Sequence, residues 1–295
     1  MIGQLIHLLG YSFVQNALIA GVLVAVVAGL VSRFVVARNM SFAVHALAEV
    51  GFTGSAGFIL IGLSPVLGLL TGSVVTALLI GALGLRIRER DSVVGVIMAF
   101  GLGLGVLFIT LYPRYATEAF AILFGAITAV STTDLILLLV VGVVTITGLA
   151  VMYRPLTFAT VDPIVAEARG VPVRLVSILF LLMLAAAVAE AVQIVGVLLI
   201  LTLLITPGAT AERLTSQPGL ATVVSVGVAL VATVVGILLA LVTAVPVSFF
   251  VTTIAFACYL IARVGSPIVE NLYARRTPAE PRPEPSVAPG QPQAD

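Results

Sequence analysis

His45 and Glu49 stand four residues apart in "NMSFAVHALAEVGFTG" (39–54), within a chain that otherwise avoids charge. Four residues make about one helical turn, so this imidazole and this carboxyl share a helix face. Ala43, Ala46, Ala48, Gly51, Gly54 and Ala56 surround them, and small faces let helices approach closely. An ionisable pair in such a setting is expected to face a protein interface or a water-filled path rather than lipid, and is a functional-site hypothesis by default. A ring nitrogen beside a carboxylate oxygen suits zinc, manganese or ferrous iron. The competing readings are a His–Glu pair that only braces two helices, and a proton relay. Two ligands from one chain do not complete a transition-metal shell. A two-fold dimer would bring two histidines and two carboxylates to one axis.

The elements that must carry this pair follow from composition. Of 295 residues, 61% are hydrophobic and 9% charged, and the mean hydropathy is +1.26. Soluble domains carry roughly 25% charged residues, so this chain has too few to cover a water-facing surface. Apolar runs recur that are long enough to cross a hydrocarbon core of about 30 Å. The fold class is therefore all-α, a polytopic transmembrane helical protein. Spans are expected near 13–36, 41–61, 65–85, 92–112, 132–152, 173–192, 194–211, 219–243 and 246–263, about nine, with eight and ten left open. Residues 115–131 read as a re-entrant or short extra helix. No basic stretch with a small-residue cleavage site heads the chain, so the first apolar helix is expected to stay.

Every basic residue is arginine. With the N-terminus outside and the C-terminus cytoplasmic, thirteen of the fourteen arginines fall on the cytoplasmic side or at span ends facing it, and only Arg114 falls outside. That is the asymmetry the positive-inside rule describes. The single cysteine, Cys258, allows no intrachain disulfide. Without lysine there is no GxxxxGK[ST] phosphate loop, so the chain does not hydrolyse ATP by that route. The two histidines do not make HExxH, which sets aside a metalloprotease.

Residues 1–265 are expected to form the membrane domain, and 266–295 a cytoplasmic tail, mostly disordered because its Pro, Ala, Glu and Gln have little to bury. Between spans, 154–174 is the longest ordered polar connection. Asp162 before Pro163 is a helix start, and Gly170 followed by Pro172 a helix stop. A cytoplasmic helix of about seven residues, carrying Glu167 and Ala168, is thus expected there, either as an ordinary loop helix or as a docking element for a partner. Asp134 reads as a cap beside Thr132 and Thr133. Glu190 and Gln193 sit where the sixth span meets the seventh, as interfacial residues or a pathway mouth. His7 and Cys258 read as a surface histidine and a packing residue.

"RNMSFAVHALAEVGFTG" (38–54) resembles a motif of the metal-transporting ABC permeases, with Arg38, Met40, Phe42 and Gly54 in matching positions. "ERDSVVGVIMAFGLGLGVLF" (89–108, with Asp91 and Gly95), "LFGAITAVSTTDL" (123–135), "DPIVAEARGVPV" (162–173) and "VGVLLILTLLITPGATA" (195–211) are similar to further blocks of that family, in the same order. The resemblance implies a transmembrane permease subunit of an ATP-binding-cassette importer, moving zinc, manganese or iron across the cytoplasmic membrane by alternating access. It implies a homodimer, separate cytoplasmic ATP-binding subunits that carry the hydrolysis, an extracytoplasmic metal-binding protein, lipid around it and no nucleic acid. The chain itself would be no enzyme and hold no permanent cofactor. Asp162, Pro163, Glu167, Ala168 and Gly170 would couple it to the ATPase. One departure concerns the ligands. His45 stands where the family has Asp, and Glu49 where it has His, so both chemistries persist with their order exchanged. A proton-coupled secondary transporter using Glu49 is the alternative from another class.

Overall fold

The computed structural model describes residues 10–83, 87–111, 123, 125, 132–243 and 245–276. These form ten α-helices: α1 (Ser12–Ala37), α2 (Ser41–Leu60), α3 (Pro65–Leu83), α4 (Ile87–Leu111), α5 (Thr132–Val161), α6 (Pro163–Ala168), α7 (Val173–Val195), α8 (Ile200–Leu214), α9 (Pro218–Val242) and α10 (Val247–Arg276). A 3₁₀ turn, Val197–Leu199, joins α7 to α8. Hydrocarbon offers no partner to a free amide, so each apolar run closes its own hydrogen bonds as a helix. The helices α1 to α5, α7, α9 and α10 are each long and apolar enough to cross a membrane, eight in all among the described residues. The polytopic all-α expectation holds.

The seventh expected span, 194–211, differs. The helix α7 runs on to Val195 and stops at Gly196, whose φ of +85° lies in the left-handed region that glycine enters without strain. The 15 residues of α8 extend only about 22 Å, short of the ~30 Å hydrocarbon core. Hydropathy runs unbroken across this boundary, and one glycine's backbone angle divides it. Pro207 lies inside α8 rather than ending it. The next amide, Gly208 N–H, donates to Ser32 Oγ of α1 at 2.7 Å. A Cβ on Gly208 would sit 2.5 Å from the Ser32 carbonyl oxygen, so glycine is what lets α8 lie against α1.

The small residues around the His–Glu pair pack α2 onto α3. A Cβ on Gly54 would lie 2.3 Å from the Gly68 carbonyl oxygen, and one on Gly72 2.7 Å from that of Val50. Ser73 Oγ donates to the Leu47 carbonyl at 3.0 Å, and Thr53 Oγ1 to the Gly101 carbonyl of α4 at 2.7 Å. Phe34 of α1, Leu47 of α2, Phe180 and Leu184 of α7, and Leu203 of α8 fill the core.

At its far end α5 continues through Pro155 to Val161, so residues 154–161 are helical rather than loop, and Asp134 lies in its first turn rather than at its cap. The last helix passes the expected end at 263 and reaches Arg276. His7, nearly all of the segment expected at 115–131, and the tail from 277 onward lie outside the described residues.

Candidate metal site and docking segment

Three residues reverse the chain between α1 and α2. Asn39 supplies the turn with φ +52°, a conformation its short polar side chain tolerates. Over the first ten residues of α2, positions 43, 44 and 46–48 are buried, while Ser41, Phe42, His45, Glu49 and Val50 remain partly exposed. The predicted pair therefore lies on the one incompletely covered stripe of that helix segment. His45 Nε2 is 3.0 Å from Glu49 Oε1, with the side chains 32% and 14% exposed. Each partner spends one atom on the other. His45 Nδ1 and Glu49 Oε2 are buried and make no hydrogen bond among the described residues, although buried polar atoms in native proteins nearly always find partners. Two lone-pair or proton positions are thus unsatisfied, and a cation or a further protein group would satisfy them. Among the described residues no three His, Cys, Asp or Glu come together.

The short helix expected between α5 and α7 forms as its local chemistry requires. Asp162 caps α6, its Oδ1 accepting from the amides of Ile164 at 3.1 Å and Val165 at 2.9 Å, and Pro163 opens the helix. Ala166 is the buried anchor, and Glu167 and Ala168 are exposed. Gly170, at φ +85°, closes the turn toward Pro172 and α7. The helix has six residues rather than about seven.

A cavity of about 520 Å³ lies under this segment, bounded by Arg38, Asn39, Met40, Thr160, Pro163, Glu167 and Ser177 among others. Arg38 ties the parts together. Its guanidinium donates to Ser177 Oγ of α7 at 2.5 Å and to Thr160 Oγ1 of α5 at 3.5 Å, and stands 5.6 Å from the centre of the Phe180 ring. The α1–α2 turn, seven residues before His45, is therefore fastened to the two helices that carry α6. Sequence reasoning placed Arg38 in a motif and on one side of the membrane but missed this role. Its partners are 122 and 139 residues away in the chain, so no local signal pointed to them.

Glu190 and Gln193 do not join the pair. Helices α2 and α7 both start at the cavity just described. From those starts the helical rise puts Glu49 about 12 Å along and Glu190 about 26 Å along. Glu190 is 2% exposed, and among the described residues neither carboxyl oxygen has a hydrogen-bond partner. Glu190, expected as an interfacial residue or at a pathway mouth, is a carboxyl packed inside the protein near the end of α7, with Gln193 half-buried one turn on.

The family model described as the ABC 3 transport family matches residues 10–266. The manganese transport system membrane protein MntC of Halalkalibacterium halodurans is 36% identical over 212 residues, which are 72% of this chain and 73% of that protein. The manganese import system permease protein ScaB of Streptococcus gordonii is 32% identical over 202 residues, 68% of this chain and 72% of that protein. Among solved structures, PsaBC from Streptococcus pneumoniae in complex with Fab superposes with a TM-score of 0.80 at 30% identity, covering 89% of this chain and 95% of that one. Eight membrane-length helices among the described residues and a family match over 257 consecutive residues agree, and the chain belongs to the ABC 3 transport family as a multi-pass membrane permease.

Proposed function

We propose that this permease carries a divalent transition metal through the cell membrane, with His45 and Glu49 as transient ligands and ATP hydrolysed on separate subunits. The observation that carries the reading is the pair itself: two ligating side chains 3.0 Å apart on the partly exposed stripe of α2, each with a second polar atom unsatisfied. The donor set, one imidazole and one carboxylate, suits manganese, iron or zinc. Relatives that carry manganese in their names make that ion the first candidate.

An ion does not enter an empty cage here. To ligate through Nε2, His45 must give up its contact with Oε1 and shed or move the proton on that nitrogen. The cation thus replaces an existing hydrogen bond, which moderates its net binding. A transport site needs this, because an ion held too tightly does not leave. A second copy of the chain, related by a two-fold axis, would add the partner ligands that one chain lacks.

Coupling runs through α6. An ATPase pressing on Glu167, Ala168 and the Gly170 turn would move the ends of α5 and α7, and Arg38 would pass that displacement to the start of α2. The N-terminus outside and the α6 end in the cytoplasm complete this picture. An extracytoplasmic binding protein would deliver the ion to the opposite face.

The test is ATP-driven uptake of Mn²⁺, Zn²⁺ and Fe²⁺ by vesicles containing the permease and its ATPase, alongside metal content of the purified complex. We expect about one ion per two chains, following from two ligands per chain in a two-fold site, and loss of both ion and uptake in His45→Ala/Glu49→Ala with ATPase assembly intact. Uptake that survives the double substitution removes the ligand role.

A further inference from the structure

A second cavity, of about 580 Å³, opens between α1, α5 and α9, on the flank of the bundle rather than under α6. Leu30 and Phe34 of α1 and Ile146, Leu149 and Ala150 of α5 make its apolar wall. The flank of α5 beside it bears Val143, Val144 and Val151, 53%, 66% and 76% exposed. Such a surface on a membrane helix meets acyl chains. At one end the wall changes character, to Tyr153, Arg154 and Thr222.

Arg33 stands behind this polar end, only 8% exposed. Its Nη1 donates to the Tyr153 hydroxyl at 3.1 Å and to Thr222 Oγ1 at 3.2 Å. Its guanidinium lies 4.9 Å from the Phe34 ring centre and 5.9 Å from that of Tyr153. Thr222 Oγ1 in turn donates to the Pro218 carbonyl at 3.0 Å. The Tyr153 oxygen accepts from Arg33, and among the described residues its O–H has no acceptor. Arg33 makes no ion pair within 4 Å among those residues, and Glu212 is the acid that acts on it from farther away. Arg154 is exposed on the rim. One end of an apolar slot therefore offers the Arg154 guanidinium and a phenolic donor, with Arg33 behind them, and among the described residues no carboxylate lines it.

We propose that this cavity binds one anionic phospholipid, its phosphate on Arg154 and the Tyr153 O–H with the Arg33 charge behind them, and an acyl chain along Leu30, Phe34, Ile146 and Leu149. The apolar wall and lipid-facing flank distinguish this ligand from free phosphate, which would leave that wall empty. The absence of a lining carboxylate among the described residues distinguishes it from a zwitterionic lipid, whose ammonium group would meet the Arg154 guanidinium and no acid. Arg33, Arg154 and Thr222 all lie at the helix ends nearest Arg38 and α6, the level at which headgroups meet an arginine-rich membrane face. The bound lipid would bridge α1, α5 and α9. This inference does not depend on which ion is transported.

The test is native mass spectrometry of the delipidated full chain with added phosphatidylglycerol, phosphatidylcholine or inorganic phosphate. One phosphatidylglycerol per chain is expected, retained at least about fivefold better than phosphatidylcholine, the preference that about one surface arginine confers. Arg154→Gln and Tyr153→Phe should each remove most of that preference. Ala150→Phe should exclude the lipid by filling the slot from its exposed side, without touching the polar end. Equal retention of the two lipids, or phosphatidylglycerol held as before by both Arg154→Gln and Ala150→Phe, overturns the proposal. So does full displacement by inorganic phosphate, which makes this a free-anion site. In a Cys258→Ser background, a disulfide-linked dimer formed through Ala150→Cys in liposomes also overturns it, because a second copy would then cover the cavity.

Discussion

Glu49 and Glu190 are the same side chain in two apolar helices, and the structure treats them oppositely. Glu49 has an imidazole at 3.0 Å and keeps 14% of its side chain exposed. Glu190 is 2% exposed, with both oxygens unpartnered among the described residues. A carboxyl poised to exchange partners needs a counter-group and a way out. A carboxyl with neither is a cost to the fold, because an unsatisfied buried polar group loses its hydration without compensation. Rarity of charge in the sequence therefore flags both residues, and only geometry separates the one that keeps a partner and partial exposure.

The sharpest way to break this comparison is to neutralise each in turn. Glu49→Gln is expected to cut ATP-driven manganese uptake more than about a hundredfold, above the range usual for residues that merely orient a ligand. Glu190→Gln should leave uptake largely unchanged in the same vesicles. Equal losses would place Glu190 on the ion path after all. Next in size is Gly54→Val, whose added carbons have no room against the Gly68 carbonyl. It should lower unfolding stability by about 2 kcal/mol, as overpacking does, read as a drop in thermal midpoint in detergent. A normal midpoint would mean that α2 is not held as rigidly as its glycines indicate.

Stability distinguishes the two carboxyls from the other direction. Glu190→Leu removes an unsatisfied group and should hold or raise stability by about 1 kcal/mol. Glu49→Leu strands His45 and should lower it by a similar amount. Thermal unfolding of the two variants side by side settles the sign. The smallest effect is expected at Asp162→Ala, which takes away the cap of α6 at about 1 kcal/mol of local stability. It should reduce recovery of the ATPase with the permease while leaving the global midpoint near its starting value.

The parts that were legible in the sequence are those whose partners are near in the chain. Asp162 reaches amides two and three residues on, so "DPIVAEARG" announces its own helix, start and stop. His45 and Glu49 are one turn apart, and any helix there brings them together. The small residues of 43–56 predicted close packing, and Gly51 and Gly54 provide it against α3. Illegible were contacts that depend on where distant helices come to rest: Arg38 on Ser177 and Thr160, Gly208 on Ser32, and the two hydroxyls on Arg33. Gly196 was missed for another reason. Hydropathy averages over a window, and a single positive φ leaves no trace in that average.

By itself, then, the sequence determined the solvent and the repertoire. A chain with 9% charge and recurrent apolar runs must live in lipid as helices, because lipid satisfies no backbone amide. It also determined that an imidazole and a carboxyl would share a face. What only the tertiary structure decided is which face of α2 stays partly uncovered, which carboxyl keeps a partner, and which helices Arg38 fastens together. Those outcomes depend on close packing in the bundle, as between α2 and α3, between α1 and α8 and between α1 and α9, where one added Cβ meets a backbone atom at 2.3 to 2.7 Å. Distances of that kind belong to the assembled bundle and to no segment of it.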